Sequence, residues 1–102
     1  GLCLRGTAGV FAGKTLSLAP PLTLGRQPDL CQLIFPPDTR GVSRPHCWVE
    51  LVYGTVLITD LLLRYGTAAG GSDLSPGCPS PLLPGQSLAL AGGAQAFVLV
   101  RE

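Results

Sequence analysis

Residues able to hold an anion stand at the ends of predicted strands, next to turn-forming residues, in the segment from Leu24 to Gly71. Arg26 follows a glycine that ends a strand, and its planar guanidinium has donors that match the oxygens of a phosphate. Ser43 lies just before the strongest predicted strand, where its hydroxyl and backbone N–H can meet an anion. Taken singly, Arg26 also fits a solvated surface arginine, and Ser43 fits a turn residue that bonds its own backbone. Together they favour an anion-binding site on the loops of a β scaffold.

The same segment does not offer a complete catalytic group. Ser43 with His46, or Cys47 with His46, would be the candidate nucleophile and base. Neighbouring residues in a strand point to opposite faces, so His46 and Cys47 do not face each other. The sequence has no third group to orient the base, no G-x-S-x-G motif, no paired carboxylates and no G-x-x-x-x-G-K-[ST] loop. We therefore predict that the protein is not an enzyme and that His46 bonds loop backbone. Asp60, at a strand end, is expected to accept backbone hydrogens from the following turn.

The composition indicates one globular domain, residues 1–102, that is rich in turns. Hydrophobic residues make up 46% and charged residues 13%, which argues against a disordered chain. The 14 glycines and 10 prolines argue against long helices. The net charge of +1 excludes bulk electrostatic attraction to nucleic acid as the main driving force. Because the chain lacks methionine, we expect a domain cut from a longer protein.

Targeting and cysteine patterns narrow the class of protein further. No signal peptide opens the sequence, and the uncharged run 74–100 contains too many prolines and glycines for a good membrane-spanning helix. We therefore expect no membrane insertion and a cytoplasmic location. One histidine and four cysteines without a close pair predict neither a metal site nor a cofactor. The cysteines, three of which lie in or beside apolar runs, are expected to be buried reduced thiols, with a disulfide as the alternative in an exported protein.

Alternating apolar residues predict a hairpin in the middle of the chain. In the run Cys47–Tyr53 every second residue, beginning with Cys47, shares one face. Gly54 then makes a tight turn, and Thr55–Asp60 returns as the partner strand. The segment Pro36–Arg44 reads as a loop because it consists almost entirely of turn-forming residues.

Short strands are predicted along the rest of the chain as well. Gly70 to Gly85, with its many prolines, is expected to be a long connection. Nine or ten short strands, at intervals of roughly ten residues, predict an all-β sandwich. Besides the hairpin and a short lead into Tyr65, the predicted strands are Leu2 to Gly6, Thr15 to Ala19, Leu22 to Gly25, Gln32 to Phe35, Ser87 to Leu90 and Ala96 to Val100.

The order of these motifs resembles the forkhead-associated (FHA) family over nearly the whole chain. That family has G-R, then S-x-x-H, then a strand ending in Asp, then N-G-T, then an apolar strand after a glycine. The resemblance implies a sandwich of two antiparallel-rich sheets with about eleven short strands. It also implies a signalling module that binds phosphothreonine peptides through loops at the strand ends. The matching residues are Leu24-Gly25-Arg26, Ser43-Arg44-Pro45-His46, Ile58-Thr59-Asp60, Gly66-Thr67, and Leu83-Pro84-Gly85 with Leu88 and Leu90.

The resemblance also implies roles for individual residues. Arg26 would contact the phosphate directly, and Ser43 would donate to another phosphate oxygen. Arg44 would reach the phosphate or an acidic residue of the ligand. Other residues would support these loops without touching the ligand: His46 as a brace, Thr67 as support for the binding loop, and Gly25 and Gly66 as backbone requirements.

Two residues depart from the family pattern. Tyr65 stands where the family has an Asn that usually holds the peptide backbone, and Tyr lacks the paired donor and acceptor of an amide. Arg64 stands where a small hydroxyl residue commonly assists the phosphate, so it would either strengthen phosphate binding or select an acidic ligand residue. Both are included in the predicted phosphopeptide site.

Two functions follow from the motifs and these departures. The first is phosphothreonine-dependent binding of a partner protein, a Ser/Thr kinase substrate, by a monomeric domain that does not bind nucleic acid. The alternative is a phospho-independent interaction or assembly domain with a degenerate phosphopeptide site.

Overall fold

The computed structural model of the chain describes residues 1–61 and 65–102. Within these residues, eleven strands form two sheets, which confirms the predicted all-β sandwich. The larger sheet has the strand order β2-β1-β11-β10-β7-β8, and the smaller has the order β4-β3-β5-β6-β9. The strands are β1 (Leu2–Ala8), β2 (Thr15–Ser17), β3 (Leu22–Gly25), β4 (Leu33–Ile34), β5 (Cys47–Val52), β6 (Thr55–Asp60), β7 (Thr67–Ala69), β8 (Ser72–Asp73), β9 (Ser80–Leu82), β10 (Ser87–Leu90) and β11 (Gln95–Arg101).

The core lies between the two sheets and ends in a cluster of three phenylalanines. Strand β6 buries every second residue, and β11 does the same with Phe97 and Leu99. Phe35, the last residue of a short apolar run, is fully buried and packs edge-on against Phe11, with ring centroids 5.0 Å apart. Phe35 also meets the ring of Phe97 at 6.3 Å. These ring contacts pack the turn after β1 against the loop that leads into β5.

The β5–β6 hairpin has the predicted turn, and the face that begins with Cys47 is buried only in its first half. Cys47 and Val49 are buried, whereas Leu51 is 47% exposed and Tyr53 is completely exposed. The outer half of β5 therefore extends beyond the core before the turn. Tyr53 and Gly54 have φ angles of +48° and +79°, which is the positive-φ pair that suits a two-residue hairpin turn.

The proline-rich segment after β7 is not the plain connection that the sequence predicted. It contains two short strands, β8 and β9. Strand β9 forms an edge of the smaller sheet and pairs only with β6 among the described residues. Pro81 lies inside β9, and an edge strand accepts a proline because one side of it needs no N–H donor.

The two ends of the sandwich carry different features. At one end, β1 and β11 pair from Leu2 opposite Arg101, and the N–H of Glu102 donates to the carbonyl of Gly1 at 2.8 Å. The β5–β6 turn lies beside them, since Leu51 shares a shallow pocket with Gly1 and Arg101. The opposite end carries the loops that precede β5 and follow β6, which contain the motifs noted in the sequence.

Three of the four cysteines are buried in the fold. Cys3, Cys31 and Cys47 are buried free thiols, as predicted, and Cys78 is a free thiol on the surface. Burial raises the pKa of the Cys47 thiol far above its ordinary value. Across residues 1–61 and 65–102, no helix has the length and apolar character needed to cross a membrane. The same residues contain no group of three potential metal-ligating His, Cys, Asp or Glu side chains.

Candidate functional site

The end of β3 packs directly against the loop that leads into β5. Gly25 is buried there, and a Cβ atom built on it would lie 2.2 Å from the carbonyl oxygen of Arg44. Two backbone bonds join the same segments: the N–H of Arg26 donates to the carbonyl of Ser43 at 3.2 Å, and the N–H of Gln27 donates to that of Arg44 at 3.1 Å. The thiol of Cys31 donates to the Arg44 carbonyl as well, at 2.9 Å. Arg26 and Ser43 are therefore held side by side although they are distant in sequence.

The side chain of Arg26 is hydrogen-bonded to two separate points of the loop that leads into β5. Its Nε–H donates to the carbonyl of Val42, and Nη1 donates to the carbonyl of Pro37, each at 2.5 Å. These bonds use two of the five N–H donors of the guanidinium and do not involve Nη2. The half-buried Arg26 thus carries a fixed positive charge at the loop, with donors left to meet an anion.

His46 links this loop to the segment that precedes β7. Its ring is 2% exposed, and its Nδ1 accepts the backbone N–H of Ser43 at 2.9 Å. Its Nε2 lies 3.0 Å from the carbonyl oxygen of Gly66, which can only accept. The ring is therefore the neutral tautomer with the proton on Nε2. Burial lowers the pKa of His46 below its ordinary value, which favours this neutral state.

The bond to His46 changes what Ser43 can give to a ligand. The sequence suggested that Ser43 presents both its hydroxyl and its backbone N–H to an anion. The structure corrects the second part, because the N–H points to the imidazole of His46. The hydroxyl of Ser43 is the group that remains for a ligand.

We expect the unligated protein to lose stability as the pH falls below about 6.5, the ordinary pKa of histidine. His46 is the only histidine in the chain, and its folded-state pKa is lowered. Below pH ~6.5 the unfolded chain binds a proton at His46 while the folded chain does not, so the free energy of unfolding decreases as the pH falls. The slope approaches ~1.4 kcal/mol per pH unit until the pH reaches the folded-state pKa. Denaturant unfolding at a series of pH values measures this slope.

The control for this titration is His46→Asn, whose amide has no ionisation in the same range. This variant should be less stable than the wild type, but its free energy of unfolding should not share the wild-type slope. A wild-type protein of constant stability between about pH 7 and pH 5 would contradict the assignment of a neutral, buried His46.

Thr67 and Asp60 connect the neighbouring strand ends. The hydroxyl of Thr67 donates to the Oδ1 of Asp60 at 2.7 Å, and both residues are buried. The side chain of Asp60 thus has a hydroxyl partner; the turn from which the sequence suggested backbone donors includes residues 62–64, which lie outside the described residues. The backbone carbonyl of Asp60 accepts an N–H from Gly77 at 2.9 Å. The bond between Thr67 and Asp60 fixes the start of β7 beside the end of β6.

Gly66 does not have the backbone requirement that the sequence analysis gave it. A Cβ atom built on Gly66 meets no atom within 4 Å, and its φ lies outside the left-handed region. Its role toward His46 uses only the carbonyl oxygen, which any residue provides. Gly25 alone of this pair is required by close packing.

These loops enclose an open cleft of about 570 Å³. It brings together four residues that the sequence analysis assigned to the site: Arg26, Ser43, Arg44 and Tyr65. Arg44 is exposed, and Tyr65 is 50% exposed. The remaining residue of the predicted binding set, Arg64, lies outside the described residues.

One cationic residue of the cleft was missed by the sequence analysis. Arg40 is exposed and lines the cleft together with Arg26 and Arg44. Asp38 is the only acidic residue among the described lining residues, so their side chains carry three positive charges and one negative. The sequence feature that could have placed Arg40 at the cleft is its spacing from Arg44. Both lie within one short, turn-rich loop, which must fold back on itself. The arrangement suits a dianionic ligand.

The chain is similar to solved structures, although comparisons of its sequence find no match. No protein-family model and no curated protein sequence matches the chain. Among solved structures, the FHA domain of the CT664 protein from Chlamydia trachomatis matches with a TM-score of 0.82 and 25% identity, covering 99% of this chain and 97% of that one. The chain has the FHA fold. The predicted resemblance is confirmed, and the sandwich with eleven strands is the one that it implied.

Two further FHA structures show how widely this fold is shared. An FHA domain of a hypothetical protein from Arabidopsis thaliana matches with a TM-score of 0.83 and 24% identity, covering 97% of this chain and 83% of that one. The N-terminal FHA domain of Rad53p from S. cerevisiae, solved in complex with a phosphothreonine peptide, matches with a TM-score of 0.79 and 19% identity. That match covers 99% of this chain and 93% of the Rad53p chain. The FHA fold is thus retained here across low sequence identity.

Proposed function

We propose that this FHA-fold domain binds phosphothreonine-containing peptides of a partner protein. The observation that carries the proposal is the convergence of Arg26, Ser43 and Arg44 on one cleft. A phosphate monoester carries about −1.5 to −2 charges at neutral pH and three acceptor oxygens. Two guanidinium groups and one hydroxyl match that charge and provide donors from different directions.

The affinity of such a site depends on a few hydrogen bonds to charged groups. Hydrogen bonds to charged groups contribute roughly 1.5–3 kcal/mol each, and association itself costs several kcal/mol. Two or three such bonds, together with contacts from the rest of the peptide, predict binding in the micromolar range, about −8 kcal/mol. Micromolar affinity suits a reversible signalling contact with a Ser/Thr kinase substrate, bound by a monomeric domain.

The proposal is tested by binding to a degenerate library of phosphothreonine peptides, with the unphosphorylated library as the matched control. We expect measurable binding to the phosphorylated library and at least tenfold weaker binding to the other, a difference of ~1.4 kcal/mol or more. A phosphoserine library measures the preference for threonine. Equal binding of the phosphorylated and unphosphorylated libraries by the folded protein would rule the proposal out.

A gain of affinity is expected from Tyr65→Asn. In the FHA pattern an Asn at this position holds the peptide backbone, and its amide has a donor and an acceptor on two separate atoms, a pair that the single hydroxyl of Tyr does not provide. Tyr65 lines the cleft beside Ser43 and Arg44, so an Asn there is close to a bound peptide. We expect up to tenfold tighter binding of a selected phosphopeptide, or ~1.4 kcal/mol, measured by isothermal titration. Tyr65→Phe is the control, and equal losses in both variants would show that the hydroxyl of Tyr65, which both variants remove, itself holds the ligand.

A second candidate function is a phospho-independent interaction or assembly domain. It is favoured by Tyr65 at the clamp position and by exposed apolar residues at the β5–β6 turn, which include Leu51 and Tyr53. An assembly domain would show a mass that rises with concentration in light scattering, without any phosphorylated ligand. A constant monomer mass and the absence of any phospho-independent partner would exclude this alternative.

A further inference from the structure

The side chain of His46 connects two loops that line the phosphate cleft. Its Nδ1 accepts the N–H of Ser43 at 2.9 Å, and Ser43 lines the cleft from the loop before β5. Its Nε2 donates to the carbonyl of Gly66 at 3.0 Å, directly after Tyr65, which lines the cleft from the segment before β7. We call these two hydrogen bonds the His46 bridge. One buried ring therefore holds the two loops next to each other.

The peptide unit between Val42 and Ser43 extends the His46 bridge to Arg26. Its N–H, which belongs to Ser43, donates to Nδ1 of His46 at 2.9 Å. Its carbonyl, which belongs to Val42, accepts Nε–H of Arg26 at 2.5 Å. A peptide unit is planar and turns as one body. A turn that moves the N–H away from His46 therefore also moves the carbonyl that holds Arg26.

The bond to Ser43 exists only while the His46 ring is neutral. Protonation adds a hydrogen to Nδ1, which then faces the N–H of Ser43, so two donors meet without an acceptor. His46 is 2% exposed, so water does not reach these donors while the loop keeps its place. Buried donors without a partner cost free energy. The bond to Gly66 survives because Nε2 donates in both states, so the change falls on the peptide unit that joins His46 to Arg26.

Charged and titratable groups stand on the elements that are packed against the ring. Asp60, at the end of β6, favours the protonated ring by its negative charge. The thiol of Cys47, the next residue in the chain, stays neutral because burial raises its pKa far above the ordinary value. Arg44 and Tyr65 stand on the two loops that the bridge joins. Burial outweighs the charge of Asp60 and lowers the pKa of His46, so the bridge is intact at neutral pH and is lost only in acid.

A bound phosphate does not reverse this effect of protonation. The described side chains that line the cleft carry three positive charges and one negative. A phosphate monoester adds about −1.5 to −2 charges at neutral pH, so the occupied cleft is nearly neutral. In acid the phosphate carries less negative charge still. A protonated ring therefore gains little attraction from the ligand, whereas it loses the bond to Ser43.

We propose that protonation of His46 releases the phosphopeptide, so that the cleft binds at neutral pH and loses affinity in acid. The proton turns the peptide unit between Val42 and Ser43 away from the ring, and this displaces the Ser43 hydroxyl and the Arg26 guanidinium together. The inference rests on the proposed function and adds its regulation by pH. Because such a coupling is reciprocal, a bound phosphopeptide keeps His46 neutral down to a lower pH than in the free domain.

The first test compares the wild type with His46→Asn. The affinity of a selected phosphopeptide is measured from about pH 7.5 to the lowest pH at which circular dichroism shows the native fold. Asn takes up no proton in this range, whereas the ligand phosphate, which titrates near pH ~6, and the carboxylates are common to both proteins. We expect the wild type to lose about fivefold more affinity than His46→Asn, equal to ~1 kcal/mol. Equal losses in the two proteins would overturn the inference and leave the proposed function standing.

The second test uses the wild type alone and decides the question if His46→Asn does not fold. His46 is the only histidine of the chain, so its ring signals in a proton NMR titration report its protonation directly. With saturating phosphopeptide, the His46 titration should move to lower pH than in the free domain. A titration that stays unchanged or moves to higher pH would overturn the inference. Absence of phospho-dependent binding at about pH 7.5 would overturn the proposed function, and the inference with it.

Discussion

Arg26→Ala should weaken phosphopeptide binding at least a hundredfold. The substitution removes the guanidinium donors that are left for an anion, and hydrogen bonds to charged groups contribute roughly 1.5–3 kcal/mol each. Losing two of them amounts to ~3 kcal/mol or more, which is over a hundredfold in the dissociation constant. It also removes the bonds to the carbonyls of Val42 and Pro37 that hold the loop in place. Isothermal titration with a phosphopeptide selected from the library measures the loss.

Two further variants separate the charge of Arg26 from its geometry. Arg26→Lys keeps the positive charge but replaces the planar fork by a single ammonium, which cannot hold two loop carbonyls and a phosphate together. We expect this variant to lose most of the affinity as well, by roughly tenfold or more. Arg101→Ala removes an exposed arginine at the other end of the sandwich and should bind as the wild type does. Arg26→Ala with wild-type affinity and an intact fold would show that the phosphate does not bind at this cleft.

Gly25→Ala should be the most damaging single-methyl substitution in the site. The added Cβ would lie 2.2 Å from the backbone oxygen of Arg44 and 2.8 Å from the sulfur of Cys31. A backbone atom cannot rotate away, so the strand end and the loop must separate. Overpacking costs about 1–3 kcal/mol, and we expect the upper end here, which lowers the Tm by roughly 10 °C or more for a chain of this size. Thermal unfolding monitored by circular dichroism measures the change.

Gly66→Ala is the matched control for Gly25→Ala, because it adds the same methyl group to a glycine of the same site. Nothing lies within 4 Å of the new atom, so we expect a change of less than ~1 kcal/mol in the free energy of unfolding. Gly25→Ala should also weaken phosphopeptide binding, since separating the loop from β3 moves Ser43 away from Arg26. Equal stability of the two variants would mean that the contact between Gly25 and Arg44 is not a tight one.

Local patterns in the sequence were sufficient to predict much of the fold. The bounds of β3, β6 and β10 were predicted correctly because each has alternating or apolar residues closed by a turn signal. Strand β9 was missed because Pro81 argues against a strand, and only its position at a sheet edge makes the proline acceptable. That position depends on pairing with β6, which no local pattern reports. The exposure of the outer half of β5 could not be predicted for a similar reason, since alternation does not say where the core ends.

The candidate site was predictable in its residue types but not in its bonds. The motif order pointed to Arg26 and Ser43, and the structure places both at one cleft. The sequence could not show that the N–H of Ser43 is bound to His46, because that bond depends on the folded path of the loop. Nor could it add Arg40, whose place at the cleft follows from the loop folding back on itself. The roles of these residues toward a ligand remain predictions.

The pairing of β1 with β11 has a consequence for how this domain can be attached to other molecules. Residues 1 and 102 are hydrogen-bonded to each other, at the end of the sandwich away from the cleft. A tether at either residue therefore leaves the cleft facing outward, which suits capture on a sensor surface. A short linker could also join the two residues, and the chain could be reopened at the Tyr53-Gly54 turn without crossing the ligand path. Such a permuted chain should keep the same sandwich with new ends that still point away from the cleft.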